Sequence, residues 1–418
     1  MYKKTVLKNG VRIVSQQLDH LKSISIGVWV DTGSRDEVGS ENGVSHFIEH
    51  MIFKGTDNRN SLEIAKELDA IGGMSNAFTG KDNTCFYARV LGKHFPLVSD
   101  ILSDILLHSV FDPDDMERER LVILQEVNML EDCPDENIHV LFNRLFWPNH
   151  PIGMPILGTA ETVSSITRET ILKYIDEFYV PERILIAAAG DVDHESIVSG
   201  FESQFEPLSR GTTNHEREIP TPNSGASIHY KDLEQIHICL GGDAPSQTSD
   251  KRFASAVFNT ILGGNMSSRL FQEIRENRGL AYAVYSFLST YVDTGFLGVY
   301  VAIDPGNLEP VLETIQTEIK KIAKGELSES ELRAAKEHLT GGIYLTSEGA
   351  DSQMMRIARN EFVFGKHIAL KEVISNLEKV TLDEIIESAN DIFLDGKVSL
   401  ATLGPLREED FNKECFRF

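Results

Sequence analysis

The chain has 418 residues, 41% of them hydrophobic and 25% charged, the balance of a globular protein of two or three domains and not of a disordered, collagenous or coiled-coil chain. Its 40 basic and 64 acidic residues leave a formal charge of −24, which argues against binding a phosphate backbone; such a charge keeps a soluble protein dispersed and, if it has a role in recognition, favours cationic partners through long-range attraction. No apolar run approaches the roughly 20 residues of a membrane span, and the N-terminal stretch lacks the apolar core of an export signal. A soluble, cytoplasmic protein is expected, with neither nucleic acid nor membrane among its partners. Cys85, Cys133, Cys239 and Cys415 lie far apart, in no paired metal spacing, and read as packing thiols in a reducing compartment.

In chain order, 23–33 and 84–91 read as strands, rich in β-branched and aromatic residues. Helical periodicity places helices near 41–54, 61–70, 94–108, 113–131, 135–146 and 168–178, and 184–190 reads as a further strand. Residues 205–227, polar and holding three prolines, read as a linker. Beyond it the pattern restarts. DNTCFYARV followed by a helix from His94 is echoed, about 210 residues later, by VDTGFLGVYV followed by a helix near Gly306. DDMERERLVILQEV has a counterpart in LSESELRAAKEHLTGGI. The expectation is an α+β fold of two structurally similar domains, 1–210 and 225–418, each a mixed β-sheet covered by helices.

The chemistry concentrates in SHFIEHMIFKGT, residues 45–56. On a helix, Val44, Phe47, Ile48, Met51 and Ile52 form one apolar stripe, and His46, Glu49 and His50 fall within an arc of about 100° on the other side. This H-x-x-E-H pattern inverts the commoner zincin motif. Two neutral imidazoles one turn apart can converge on one cation, and a glutamate in the same arc can take a proton from water on that cation. A third protein ligand is needed. The helix at 113–131 offers Glu119 and Glu126, seven residues apart and so on one face. Helical geometry leaves open the choice between them, and does not exclude Glu117.

The pairing of HFIEH at 46–50 with ERERLVILQEVNMLEDCPDE at 117–136 resembles the pitrilysin family of zinc peptidases. It looks most like the short branch that includes mitochondrial and bacterial processing peptidases. IGGMSNAFTGKDNTCFYARV, HPIGMPILGT and ILGGNMSSRLFQEIRENRGLAYAVYS are similar to that branch as well. The resemblance implies that Glu126, 76 residues after His50, is the third ligand of one Zn²⁺ per chain, that Glu119 supports the site, and that Glu49 is the general base. It further implies that Arg275 and Tyr282 hold substrate and polarise the scissile carbonyl, and that Asn76, Ala77 and Phe78 lie on an edge strand that pairs with the peptide. Gly263 and Gly264 are either a helix stop or a glycine-rich loop facing the chamber.

A shift of 212 residues puts Phe258, Ile261 and Leu262 where the metal motif stands in the first half, and His338 where Glu126 stands. The repeat has lost its site, and His338 reads as structural. In the family two such chains close as a clamshell, which implies a homodimer here, or a heterodimer with a related subunit. The expected function is a zinc metalloendopeptidase that cleaves unfolded peptides in an enclosed chamber, with basic peptides preferred on account of the acidic charge. The alternatives are a non-catalytic partner or scaffold subunit of the same family and a zinc-storage protein, the latter disfavoured by a glutamate set between the two histidines.

Overall fold

A computed structural model describes residues 1–209, 211, 216–394 and 396–412. Cys415 lies outside the described residues, as do residues 210 and 212–215 of the expected linker. In chain order the described helices are α1 (Val44–Met51), α2 (Ser61–Ala70), α3 (Phe95–His108), α4 (Pro113–Asp132), α5 (Pro134–Phe146), α6 (Ala160–Ser165), α7 (Arg168–Phe178), α8 (His194–Phe205), α9 (Arg252–Leu262), α10 (Leu308–Ala323), α11 (Glu329–Thr346), α12 (Ala350–Phe364), α13 (Leu370–Lys379) and α14 (Leu382–Phe393). None of them is long and apolar enough to cross a membrane.

The chain forms two compact units that do not follow its linear halves. The first holds Met1–Met129, the described part of Met154–Arg217, and Thr346–His367; the second holds Leu130–Gly153, Glu218–Leu345 and the described residues from Ile368 on. In the first unit β1 (Tyr2–Val6), β2 (Arg12–Gln17), β3 (Ser23–Val30), β4 (Met74–Thr79), β5 (Thr84–Leu91) and β6 (Ile184–Gly190) form a sheet in the order β1-β2-β6-β3-β5-β4. β2 and β6 pair in parallel and the other neighbours antiparallel. The run ILIAAAG of β6 is apolar at every position because both faces of the sheet are covered. Ile184, Ile186 and Ala188 enter the main core with α1 and α3. Leu185, Ala187 and Ala189 pack on the opposite face against Met354, Ile357 and Ala358 of α12.

The second unit repeats the plan. β7 (Gly225–Tyr230), β8 (Ile236–Asp243), β9 (Ala281–Thr290), β10 (Gly295–Ile303) and β11 (Val398–Gly404) form a sheet in the order β7-β11-β8-β10-β9. β7 and β11 pair in parallel, the rest antiparallel. One face carries a core with α9, α10 and α14; α5 covers the other through Ile138, Phe142 and Phe146. β5 followed by α3 in the first unit has its match in β10 followed by α10 in the second, as the echoed strands predict. Cys85 and Cys239 are buried in these sheets. Cys133 is not a packing residue: it is only half-buried, and its thiol donates to Asp135 at 3.0 Å.

Candidate metal centre

α1 is shorter than the expected helix over 41–54. It starts at Val44 because Gly43, at φ +98°, turns the chain, and a side chain there would stand 2.9 Å from Leu157 O. Val44, Phe47, Ile48 and Met51 are buried in the first unit's core, which fixes the helix along one side and so fixes what the other side presents. Its N-terminus is held by Glu37, a buried carboxylate that sequence reasoning missed. Oε2 accepts from Gly43 N–H (2.8 Å) and Asn42 Nδ2 (2.9 Å), and Oε1 from Ser45 N–H (2.9 Å). The two backbone N–H groups are the otherwise unpaired donors of a helix start, and a carboxylate is suited to them by charge.

α1 and α4 bring three ligand atoms to one point. Glu126 Oε2 lies 3.6 Å from His46 Nε2 and 3.5 Å from His50 Nε2. All three groups offer ligand atoms within 4.8 Å of one another, and no second such group occurs among the described residues. The separations exceed the 2.7–3.2 Å of an N–H···O hydrogen bond. They are close to the edge of a tetrahedron about zinc, about 3.4 Å for ligands some 2.05 Å from the metal. An ion pair is not the alternative for His46. Burial, and after it the neighbouring His50, push its pKa down to about 4, so the ring is neutral near pH 7 and offers a lone pair.

The second imidazole is oriented from behind. Glu119 Oε2 accepts from His50 Nδ1 at 3.1 Å, which assigns the proton to Nδ1 and leaves the Nε2 lone pair facing Glu126. Lys54 Nζ holds the other oxygen of Glu119 at 2.5 Å. His46 Nδ1 is buried and has no such partner among the described residues. Glu117, which helical geometry left open, is exposed and paired with Arg120 at 3.1 Å, away from the cluster. The donor set of two imidazoles and a carboxylate fits a zinc site that keeps an open position.

Glu49 is half-buried on α1, and Thr79 Oγ1 donates to its Oε2 at 2.6 Å. Burial raises its pKa, while the Thr79 hydrogen bond works against that rise. Thr79 ends β4, the outermost strand of its sheet. Asn76 and Ala77 pair with Tyr87 and Phe86 of β5 on the inner side. Phe78 sets its ring edge-on to Trp29.

In the second unit Arg275 and Tyr282 come together. Arg275 lies on the π-helical turn Phe271–Asn277, and its guanidinium sits 4.8 Å from the ring centre of Phe271 and 4.6 Å from that of Tyr282. Tyr282 is 79% exposed at the start of β9, the outermost strand of its sheet. Phe258, Ile261 and Leu262 are core residues of α9. His338 is exposed on α11 and lines an open cavity of about 620 Å³. Gly263 stops α9 where a side chain would stand 2.6 Å from Ser286 N.

Residues 12–160 match the family described as insulinase (peptidase family M16), and residues 165–339 the one described as peptidase M16 inactive domain. The Bacillus subtilis protein named uncharacterized zinc protease YmxG is 38% identical over 405 residues, covering 97% of this chain and 98% of its own length. An uncharacterized zinc protease of Mycobacterium leprae is 39% identical over 407 residues, 96% of this chain and 91% of its own. Among solved structures, a protease from Helicobacter pylori matches with a TM-score of 0.90 at 22% identity, over 97% of this chain and 99% of that one. A structure described as peptidase M16 inactive domain, from Pseudomonas fluorescens, matches with a TM-score of 0.90 at 18% identity, over 97% and 98%. At such identities the two structures bear on the fold alone.

Proposed function

The chain belongs to the insulinase family of zinc proteases, peptidase family M16, and from that premise we propose that it is a zinc-dependent endopeptidase acting on unfolded peptides. The observation that carries the reading is the convergence of His46, His50 and Glu126 on one point, with the carboxylate of Glu49 outside that cluster on the helix that carries both histidines. These three residues would hold the metal, which when bound supplies a Lewis acid and an acidified water. Glu49 takes the proton of the attacking water and passes it to the departing amine. An extended peptide would add to the open edge of β4 beside Asn76, Ala77 and Phe78 through main-chain hydrogen bonds.

Tyr282 and Arg275 complete the reading. An exposed phenol with a guanidinium stacked on it can donate to a developing oxyanion while the cation holds the peptide. We assign them to the site of a partner subunit in a homodimer. The net charge of −24 favours basic peptides, an attraction that salt weakens.

Two experiments test these assignments. Metal analysis of the purified chain is expected to find one zinc per chain, and a fluorogenic peptide is expected to be cleaved until a chelator is added. Zinc without cleavage would move the protein to the non-catalytic subunits of its family. Mixing Glu49→Gln chains with Tyr282→Phe chains, each with little activity, is expected to restore up to about a quarter of the wild-type rate as mixed dimers form. No restoration places Tyr282 outside a shared site.

A further inference from the structure

The proposed chemistry needs Glu49 in one orientation, and no member of the metal cluster supplies it. We infer that Thr79 is the positioning residue for Glu49, an inference that rests on the role of general base given above. The hydrogen bond from Thr79 Oγ1 to Glu49 Oε2, at 2.6 Å, has the length of a hydroxyl donating to a carboxylate. The alternative acceptor for the same hydroxyl, Ser45 O, stands at 3.5 Å, too far to compete. No other side-chain hydrogen bond reaches Glu49 among the described residues.

The donor is itself fixed. Thr79 is the last residue of β4 and pairs with Thr84 of β5, and Gly80 N–H donates to Asn83 O at 2.8 Å to close the turn between the two strands. A β-branched side chain in a strand has few rotamers, so strand pairing fixes where the hydroxyl points. Glutamate is the opposite case, a flexible side chain that gives up rotamer freedom when held. Thr79 holds it before substrate arrives. Because Thr79 ends the strand whose outer edge would take the peptide, the same short segment sets both the docked chain and the base. A water placed between them meets a carboxylate already aimed.

The test compares Thr79→Val, which keeps the branched shape and removes the donor, with Thr79→Ser, which keeps the donor. Thr79→Val is expected to bind zinc like the wild type and to keep KM within about threefold, while kcat falls about 10- to 100-fold. Thr79→Ser is expected to return kcat to within about threefold of the wild type. Crystals of metal-free Thr79→Val are expected to show Glu49 displaced from its wild-type rotamer, a readout that needs no turnover. Should Thr79→Val fail to fold, Thr79→Ala replaces it with the same expectations. An unchanged kcat in the valine variant, or equal losses in the valine and serine variants, overturns the inference. A wild-type chain that cleaves no peptide overturns the proposed function instead, and the Glu49 rotamer then decides the role of Thr79.

Discussion

Glu49→Gln is expected to keep one zinc per chain and to lose about 10²- to 10⁴-fold in kcat, the range general-base catalysis contributes. Zinc stays because Glu49 is not one of the three groups that converge: the cluster is His46, His50 and Glu126. Glutamine keeps a carbonyl oxygen that can accept from Thr79, so the variant retains the local packing. It cannot take a proton. The wild type carries a further signature in its pH profile. Without metal, burial raises the pKa of Glu49 above the ordinary 4.5; a base works only when ionised, so the wild type has an acid limb of kcat/KM that Glu49→Gln should lose. Activity is gained as pH rises through that limb. Metal content by atomic absorption, with kcat and the pH profile for a fluorogenic peptide, checks all three points. Full turnover by a metal-replete Glu49→Gln chain would remove Glu49 from the reaction.

The difference in what could be read in advance is one of range. His46, Glu49 and His50 lie within five residues on one helix, so helical periodicity alone places them together. Glu126 lies on a second helix, and periodicity could not separate it from Glu119 or Glu117. The structure separates the three: Glu126 faces both Nε2 atoms, Glu119 stands behind His50, and Glu117 faces away with Arg120. Thr79 and Glu37 carried no usable signal. A threonine ending a strand is ordinary, and its contact with Glu49 exists only because β4 packs beside α1. Glu37 sits in TGSRDEVGSENG, a stretch with the composition of a solvated loop, although its side chain is buried. The helix α12 makes the same point for the fold. Met354, Ile357 and Ala358 are buried together on one side of α12, and helical spacing does not say which sheet such a side covers. Chain order suggests the sheet of the second half, yet these side chains pack on the sheet of the first unit, against Val14, Trp29, Leu185, Ala187 and Ala189.

Glu37→Gln is expected to destabilise the first unit by about 1–3 kcal/mol, the cost of leaving a buried polar group unsatisfied, and to weaken zinc binding with it. Both oxygens of Glu37 accept: Gly43 N–H and Asn42 Nδ2 on one, Ser45 N–H on the other. Glutamine has one acceptor and one NH₂, so whichever way the amide turns, a donor meets a donor at the start of the helix that carries His46 and His50. Stability against pH gives an independent reading. The three donors favour the carboxylate, but burial outweighs them and pushes its pKa from 4.5 up to about 7. Between these values the folded chain holds a proton that the unfolded chain has released, so this residue makes wild-type stability fall as pH rises from about 4.5 to 7, by up to ~3 kcal/mol. Glutamine does not titrate, and Glu37→Gln should lack that slope. Urea denaturation of metal-free wild type and Glu37→Gln at pH 5 and pH 7, with a competition measurement of zinc affinity at pH 7, separates the outcomes. Equal midpoints at both pH values and an unchanged zinc affinity would show that the start of α1 does not depend on this carboxylate.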